Sequence, residues 1–465
     1  MPQFAPEILA RWTGGSWSVL PAAPLRGFAT DSRQLKTGQV FVALSTEKRD
    51  GHDFLSAAET AGASAAIVSR LVPGVALPQL LVPDPLRAFQ QIALENRRRF
   101  TGPVIGISGS CGKTSTKDLL SLLLGGEKGG VLSTEGNLNN HIGVPHTLTR
   151  IDPSRHHFAV VEAGISAPGE MALLAGLIEP DIALITLVAP AHLAELGGID
   201  GVAGEKARLP ASLRAAGVAI FPRQCAEFTA FRTLDVRKMI IEPAEVIRPS
   251  EPPKDTVYFT VTQRGDITAL AIAYGKPPPL QFTIRRASPG MAQNVVLAVC
   301  TALWLNVSPS EIQERLDSWR PAHWRGEIVH EGGRTFYLDC YNANPASMRD
   351  ALENFCGMEE ALAPRLFILG CMEELGPDAA RFHQELGRSL QLRQQDTACV
   401  IGSEARALRH GLLDAGAREA QVELLTDLRR AAELVEKWQG AIFVKGSRKY
   451  RLETVLPGAL SAAAH

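Results

Sequence analysis

The sequence has no membrane-length apolar run: the longest, 182–189, stops at Pro190, well short of the roughly 20 residues that cross a bilayer as a helix. It also lacks net charge. Forty-eight Lys and Arg against 49 Asp and Glu leave −1 over 465 residues, so no broad basic field is present to hold nucleic acid or anionic lipid. Neither nucleic-acid binding nor membrane insertion is expected. The cysteines (Cys111, Cys225, Cys300, Cys340, Cys356, Cys371 and Cys399) form no CxxC pair, and their odd number fits reduced thiols better than a disulfide framework. Apart from adjacent His156 and His157, no Cys or His pair has ligand spacing, which disfavours zinc. The opening residues, MPQFAPEILARW, have neither the basic flank nor the apolar segment of a secretory signal. A cytoplasmic, monomeric protein is expected. No internal repeat or low-complexity tract is evident, although 41 Gly and 30 Pro are somewhat more than average.

What is present is an ordinary globular balance of 45% hydrophobic and 21% charged residues, at a length that suggests about three domains. The first hundred residues read as a small α/β unit, with strands at 40–44, 65–68 and 80–82 and helices at 54–62 and 86–99. Thr101-Gly102-Pro103 follows as a linker. Buried-strand runs at 104–107, 158–161, 182–188 and 218–221 alternate with helical stretches, the pattern of a doubly wound, mostly parallel sheet. Residues 245–285 suggest antiparallel strands beside it, then a helical pair over 290–318. After Arg325 a second α/β pattern starts, with strands at 336–338, 366–369, 398–401 and 442–444, and an alanine-rich tail at 461–464 reads as frayed.

The strongest chemical signal is Gly106-Ile-Ser-Gly109-Ser110-Cys-Gly112-Lys113-Thr114-Ser115, lying between a strand and a helix. Glycines let the backbone approach a triphosphate, and the free N–H groups of the helix start point at it. Lys113 would face the β- and γ-phosphates, and Thr114 would offer a hydroxyl to Mg²⁺. The strict GxxxxGK spacing fails at its first position, where Ile107 stands. The run GNLNNHIGVP (136–145) contains Asn137, Asn139 and Asn140, which is turn chemistry taken alone but also suits a sugar or phosphate. Glu162 and His192 each lie at or just past the carboxyl end of a strand, where open α/β sheets meet ligands, and could hold Mg²⁺. Asp339-Cys-Tyr341-Asn342-Ala-Asn344-Pro and Lys445-Gly-Ser447 end strands of the last domain in the same way. Two polar edges facing each other would form an interdomain cleft.

Taken in order, these motifs resemble the Mur ligases, ATP-dependent amide-forming enzymes of peptidoglycan precursor synthesis. Further motifs extend the resemblance over nearly the whole chain: Asp31-Ser32-Arg33, DGHDF at 50–54, Pro168-Gly169-Glu170, Asn294 after Pro289-Gly290, and GCMEELG at 370–376 with His383. The resemblance implies an α/β fold of three domains: a small UDP-sugar-binding domain over 1–100, a central P-loop ATPase domain over 101–324, and a Rossmann-like ligase domain over 325–465. It implies ATP and Mg²⁺, with Thr114, Glu162 and His192 as metal ligands. It also places a carbamylated lysine at Lys206, which composition and spacing alone would leave on a helix surface. Lys113 would bind phosphate, Asn294 the adenine, and Arg325 and Asp339 the phosphates and ribose. Asp31, Ser32 and Arg33 would contact the UDP-sugar. DCYNANP and GxMxELG, with no DNPR-type motif, favour the branch that adds D-Ala-D-Ala to a UDP-N-acetylmuramoyl-tripeptide through an acyl phosphate. A sibling adding another amino acid, a P-loop ATPase or binding module without ligation, and, least well, a Rossmann dehydrogenase are the alternatives. The chain departs from the family pattern at Cys111, Ala194 and Cys371 and in EAGISAPGE around Glu162.

Overall fold

Aliphatic runs buried on both faces form the central sheet. The structure, a computed structural model, describes residues 2–247, 255–275, 277–358 and 362–461. Part of the 245–285 reading and nearly all of the alanine-rich tail therefore lie outside the described residues. The sheet has nine strands in the order Val131–Ser133, Phe158–Glu162, Val104–Ser108, Ile182–Ile185, Val218–Pro222, Arg237–Pro243, Thr256–Arg264, Ile267–Ile272 and Leu280–Arg285. The first seven run parallel and the last two pairings are antiparallel. Alternate residues of each central strand enter different cores. Ile105, Ile107, Val160 and Leu184 face the helices Lys113–Leu123 and Pro289–Trp304, while Val104, Val161 and Ile185 face Glu170–Ile178 and Ile199–Ala211. Both faces are thus covered, as a doubly wound sheet requires.

The antiparallel extension expected over 245–285 is present, but its first strand pairs in parallel with Arg237–Pro243, a strand the sequence reading does not contain. That segment begins Arg-Lys and alternates in burial at a sheet position with one face half-exposed, so it shows no continuous apolar run.

After residue 325 a six-stranded sheet follows in the order Glu327–Glu331, Arg334–Asp339, Ala441–Lys445, Arg365–Gly370, Thr397–Ile401, Val422–Leu425. Its first pair is antiparallel and the rest parallel. The two outer strands, Glu327–Glu331 and Val422–Leu425, were not predicted, because edge strands mix polar and apolar residues. The amino-terminal sheet has five short strands, ordered Ser16–Trp17, Gln79–Leu81, Ala65–Val68, Val40–Val42, Phe28–Ala29.

One helix, Pro85–Arg99, joins the first sheet to the central one. Asp84 caps it by accepting from Leu86 N–H at 2.9 Å and Arg87 N–H at 3.1 Å, with Pro85 at the first helical position. Phe89 and Ile92 lie in the amino-terminal core, whereas Ala93 lies in the central one. Arg97, fully buried, donates to the carbonyls of Ile178 (2.8 Å) and Glu179 (2.7 Å) and to Asp181 (2.9 Å). Asn96 donates to the carbonyls of Leu148 and Ile151, both at 2.9 Å. Burial pushes the Arg97 pKa down, and the Asp181 charge opposes that shift.

Arg97→Ala should cost about 3 kcal/mol in urea unfolding, because it strands buried acceptors and a carboxylate. Arg97→Lys should recover only part of this, since an ammonium cannot reproduce the planar fork. A loss below about 0.5 kcal/mol, the range of ordinary surface substitutions, would show that the bridge is not held this way.

Candidate active site

The glycine-rich turn follows the strand Val104–Ser108 in the middle of the central sheet, where the chain's next two parallel neighbours lie on opposite sides. Strand order reverses there, and the crevice at the carboxyl ends is open to a ligand. Glycine is required at two positions of the turn. Gly109 has φ +151°, and a Cβ on it would come within 1.9 Å of Thr186 Oγ1. Gly112 has φ +78°, and its Cβ would come within 2.6 Å of Asn294 Nδ2. Gly112 leads into the helix Lys113–Leu123, whose first turn has no side-chain cap, so its N–H groups are left for an anion. Thr186 Oγ1 donates to the Cys111 carbonyl, and Ser110 Oγ donates to the Ala189 carbonyl at 2.8 Å. The turn therefore uses the backbone of Cys111, which explains why the unusual side chain there is tolerated.

The last domain forms the opposite wall. Register pairs Asp339 directly with Lys445 at the ends of adjacent parallel strands. Lys445 Nζ, nearly fully buried, contacts Asp339 Oδ2 at 2.5 Å and the Asn342 carbonyl at 3.2 Å. Burial raises the Asp339 pKa and the Lys445 charge opposes it. Arg325 lies over the Tyr341 ring, 3.9 Å from its centroid. Asn344 caps the helix Pro345–Cys356 and also donates across the cleft to the Ser110 carbonyl at 3.3 Å. Between the walls lies a cavity of about 550 Å³.

Most of the expected residues line this cavity. Ser110, Gly112, Lys113, Thr114 and Ser115 come from the turn, and Asn137, Asn139, Glu162 and Asn294 from its flanks. Arg325, Asp339, Tyr341, Asn342, Asn344 and Lys445 come from the far wall. Gly109 lies behind the turn against Thr186. Asn140 is spent locally, accepting from Ile142 N–H at 3.1 Å and Gly143 N–H at 2.9 Å. Ser447 is buried and accepts from Glu373 N–H at 3.1 Å, so it shapes the 371–374 loop. Asp31 and Arg33 pair with each other at 2.6 Å on an amino-terminal loop with Ser32, away from this cavity. That loop reaches the central domain through Thr30 Oγ1, 3.2 Å from His146 Nε2. Sequence reasoning missed Arg286, Gln293 and Asp350, which also line the cavity. Each belongs to an otherwise ordinary helix or loop, and no motif marks it.

Charge at the site is unbalanced. Lys113 Nζ donates to the Gly109 carbonyl at 2.8 Å and makes no ion pair among the described residues. Burial lowers its pKa, partly offset by the Glu162 charge. Lys206, on the helix Ile199–Ala211, is 3% exposed, and its side chain has no hydrogen bond or ion pair among the described residues. Burial, with the Lys113 charge nearby, pushes its amine down to about 7. Glu162 is 1% exposed; Oε1 accepts from Asn139 at 2.8 Å, and Oε2 has no partner. His192, at φ +52°, places Nδ1 2.7 Å from Glu374 of the last domain. Burial lowers the His192 pKa against the Glu374 charge. Ala194 approaches Gly376 so closely that a Cβ on the glycine would lie 3.1 Å from the alanine Cβ, which accounts for a small residue at 194. Cys371 is buried in the last domain's core.

Among the described residues no cluster of three or more His, Cys, Asp or Glu forms a ready-made metal site, and no helix is long and apolar enough to cross a membrane. A cation here would need hydroxyl and ligand oxygens in addition to Glu162, the usual arrangement for Mg²⁺.

Comparison with known proteins agrees with this layout. The family profile described as Mur ligase middle domain matches residues 107–241, and the one described as Mur ligase, glutamate ligase domain matches 324–448. The UDP-N-acetylmuramoyl-tripeptide–D-alanyl-D-alanine ligase of Bacillus subtilis (strain 168) is 30% identical over 445 residues, covering 93% of this chain and 92% of that protein. The protein of the same name from Synechocystis sp. is 33% identical over 414 residues, covering 87% and 84%. Crystal structure I of MurF from Acinetobacter baumannii superposes with a TM-score of 0.84 at 27% identity over 99% of both chains. Since the two profiles fall on the two sheets that wall the cleft, and relatives match over most of their length, the chain belongs to the Mur ligase family.

Proposed function

We propose that this chain joins D-alanyl-D-alanine to a UDP-N-acetylmuramoyl-tripeptide, driven by cleavage of ATP, as a step of peptidoglycan precursor synthesis. The observation that carries the reading is the pair Lys113 and Glu162 in one buried cleft, the cation without a carboxylate in contact and the carboxylate with one unpaired oxygen. Unpaired buried charge is costly. A triphosphate against the turn satisfies Lys113 and the free N–H groups, and a hard cation satisfies Glu162 Oε2.

The residues present fit Mg²⁺. Thr114 and Glu162 would hold one ion beside the phosphates, and His192, through the ring nitrogen not facing Glu374, with a carbamate on Lys206 would hold another. When bound, Mg²⁺ neutralises phosphate charge so that two anions can meet. An amine near pKa 7 is substantially uncharged at neutral pH, which is the form that adds to CO₂. Asn294 and Arg325 flank the nucleotide, and Asp31, Ser32 and Arg33, with Asn137 and Asn139, face the UDP-linked substrate. A division at 1–100, 101–324 and 325–465, a monomeric state and a cytoplasmic location complete the reading.

In the reaction, a terminal carboxylate oxygen of the tripeptide attacks the γ-phosphorus. The bond to the β–γ bridging oxygen breaks, and ADP leaves with that electron pair. The dipeptide amine then adds to the acyl-phosphate carbonyl, inorganic phosphate departs, and the amine loses its proton. Lys113 and the turn N–H groups stabilise charge developing on the phosphoryl oxygens. The docked last domain keeps water away from the acyl phosphate.

ADP release by the purified chain should require the UDP-muramoyl-tripeptide and rise with D-Ala-D-Ala but not with single amino acids. Release that is equal with and without the dipeptide would remove the ligase assignment. Lys206→Ala should lower kcat by about 10³-fold, the scale of one electrostatic group in such a site. Short carboxylic acids that can occupy the vacated space should partly restore turnover, and full activity in the variant would rule out the carbamate.

A further inference from the structure

Helix starts leave N–H groups without intrahelical partners, and the helix bearing Asn294 has one of these satisfied from another domain. Pro289–Trp304 has Ser288 as its N-cap, whose Oγ accepts from Met291 N–H at 3.1 Å. The Gly290 N–H points instead across the cleft and donates to Asp350 Oδ1 at 2.7 Å. Asp350 is half-buried in the last domain, on the helix Pro345–Cys356, and also takes a hydrogen bond from Ser288. The approach is close: a Cβ on Gly290 would lie 2.9 Å from Asp350 Oδ2. A second tie joins the same two regions, with Arg286 Nη2 donating to the Gly357 carbonyl at 2.6 Å. One turn beyond Gly290, Asn294 packs its amide against Gly112 of the phosphate turn.

We propose that Asp350 is a positioning residue for the nucleotide: its carboxylate completes the N-terminal cap of the Asn294 helix only when the last domain is docked, and so couples domain docking to the wall against which ATP binds. The inference rests on the nucleotide reading above and deepens it. A carboxylate at a helix N-terminus also meets the positive end of the helix dipole, which favours the docked state. Removing it leaves the Gly290 N–H facing the cleft without a partner and loosens Asn294 relative to Gly112.

The test is steady-state kinetics of the full chain with each substrate varied in turn. Asp350→Ala should raise KM for ATP about tenfold, as expected for loss of a charged cap. KM for the UDP-muramoyl-tripeptide should stay within about twofold and the melting temperature within about 2 °C. Asp350→Asn keeps an oxygen acceptor for Gly290 and should recover to within about threefold of the parent. Gly290→Ala disturbs the contact from the other side; it should raise KM for ATP similarly and add little when combined with Asp350→Ala. An unchanged KM for ATP in Asp350→Ala overturns the inference, as does a uniform rise in all KM values with a fall in melting temperature, or full additivity in the double variant. A parent protein that neither binds ATP in calorimetry nor releases ADP overturns the nucleotide reading itself. Normal parent turnover with unaltered ATP saturation in the variants sinks only the role of Asp350.

Discussion

Two lysines, Lys113 in the cleft and the buried Lys206 behind it, set the terms for the rest of the site. Lys206 lies close enough to Lys113 to feel its charge, and among the described residues neither side chain contacts a carboxylate. A protein interior does not tolerate such a pair unless something offsets it, by deprotonation, by an anion, or by both. Lys206 shows the first response in its lowered pKa. The second response is open to the glycine-rich turn, whose glycines expose backbone N–H groups and not side chains. The site therefore presents positive potential without any basic surface, which is consistent with a chain of almost zero net charge.

The second constraint is directional. Both large sheets end their parallel strands at the same cavity, so the polar groups that collect at strand ends in each domain face one another. On the central side these are Glu162 and the turn; on the other they are the neighbouring strand ends Asp339 and Lys445. Polar contacts across the gap run from Asn344 to Ser110, Asp350 to Gly290, Arg286 to Gly357, and Glu374 to His192, and Leu193 and Ala194 add apolar ones against the last domain. The first two sheets are instead bridged by one helix, through Ala93 in the central core and the Asn96 and Arg97 hydrogen bonds.

Much of this was legible in the sequence. Glycine spacing before Lys113 identified the turn, because only that residue type fits positions such as Gly109 and Gly112. Continuous apolar runs located the inner strands, and their last residues gave Glu162, Asp339 and Lys445. Edge strands such as Glu327–Glu331 were not visible, because an edge needs no continuous apolar face. Pairings between distant segments were invisible for a different reason. Nothing in the helix that carries Asp350 marks that residue as facing another domain, and nothing in GCMEELG announces that Glu374 meets His192. Ser447 and Asn140 sit in motifs that suggest ligand contact, yet they serve as loop fasteners, because a short polar side chain beside a turn finds backbone partners first.

The helix Pro85–Arg99 has a further consequence for how this chain can vary in length. Its two ends are fixed separately, by the Asp84 cap at one and by the Arg97 fork in the central domain at the other. Between them its side chains must serve two cores that face different directions. Adding or deleting one residue inside it would turn everything beyond by about 100°, pointing the arginine fork at solvent and swinging the amino-terminal sheet off its seat. The segment acts as a ruler of fixed length, so insertions and deletions in related chains should accumulate in the loops on either side of it and leave its residue count unchanged.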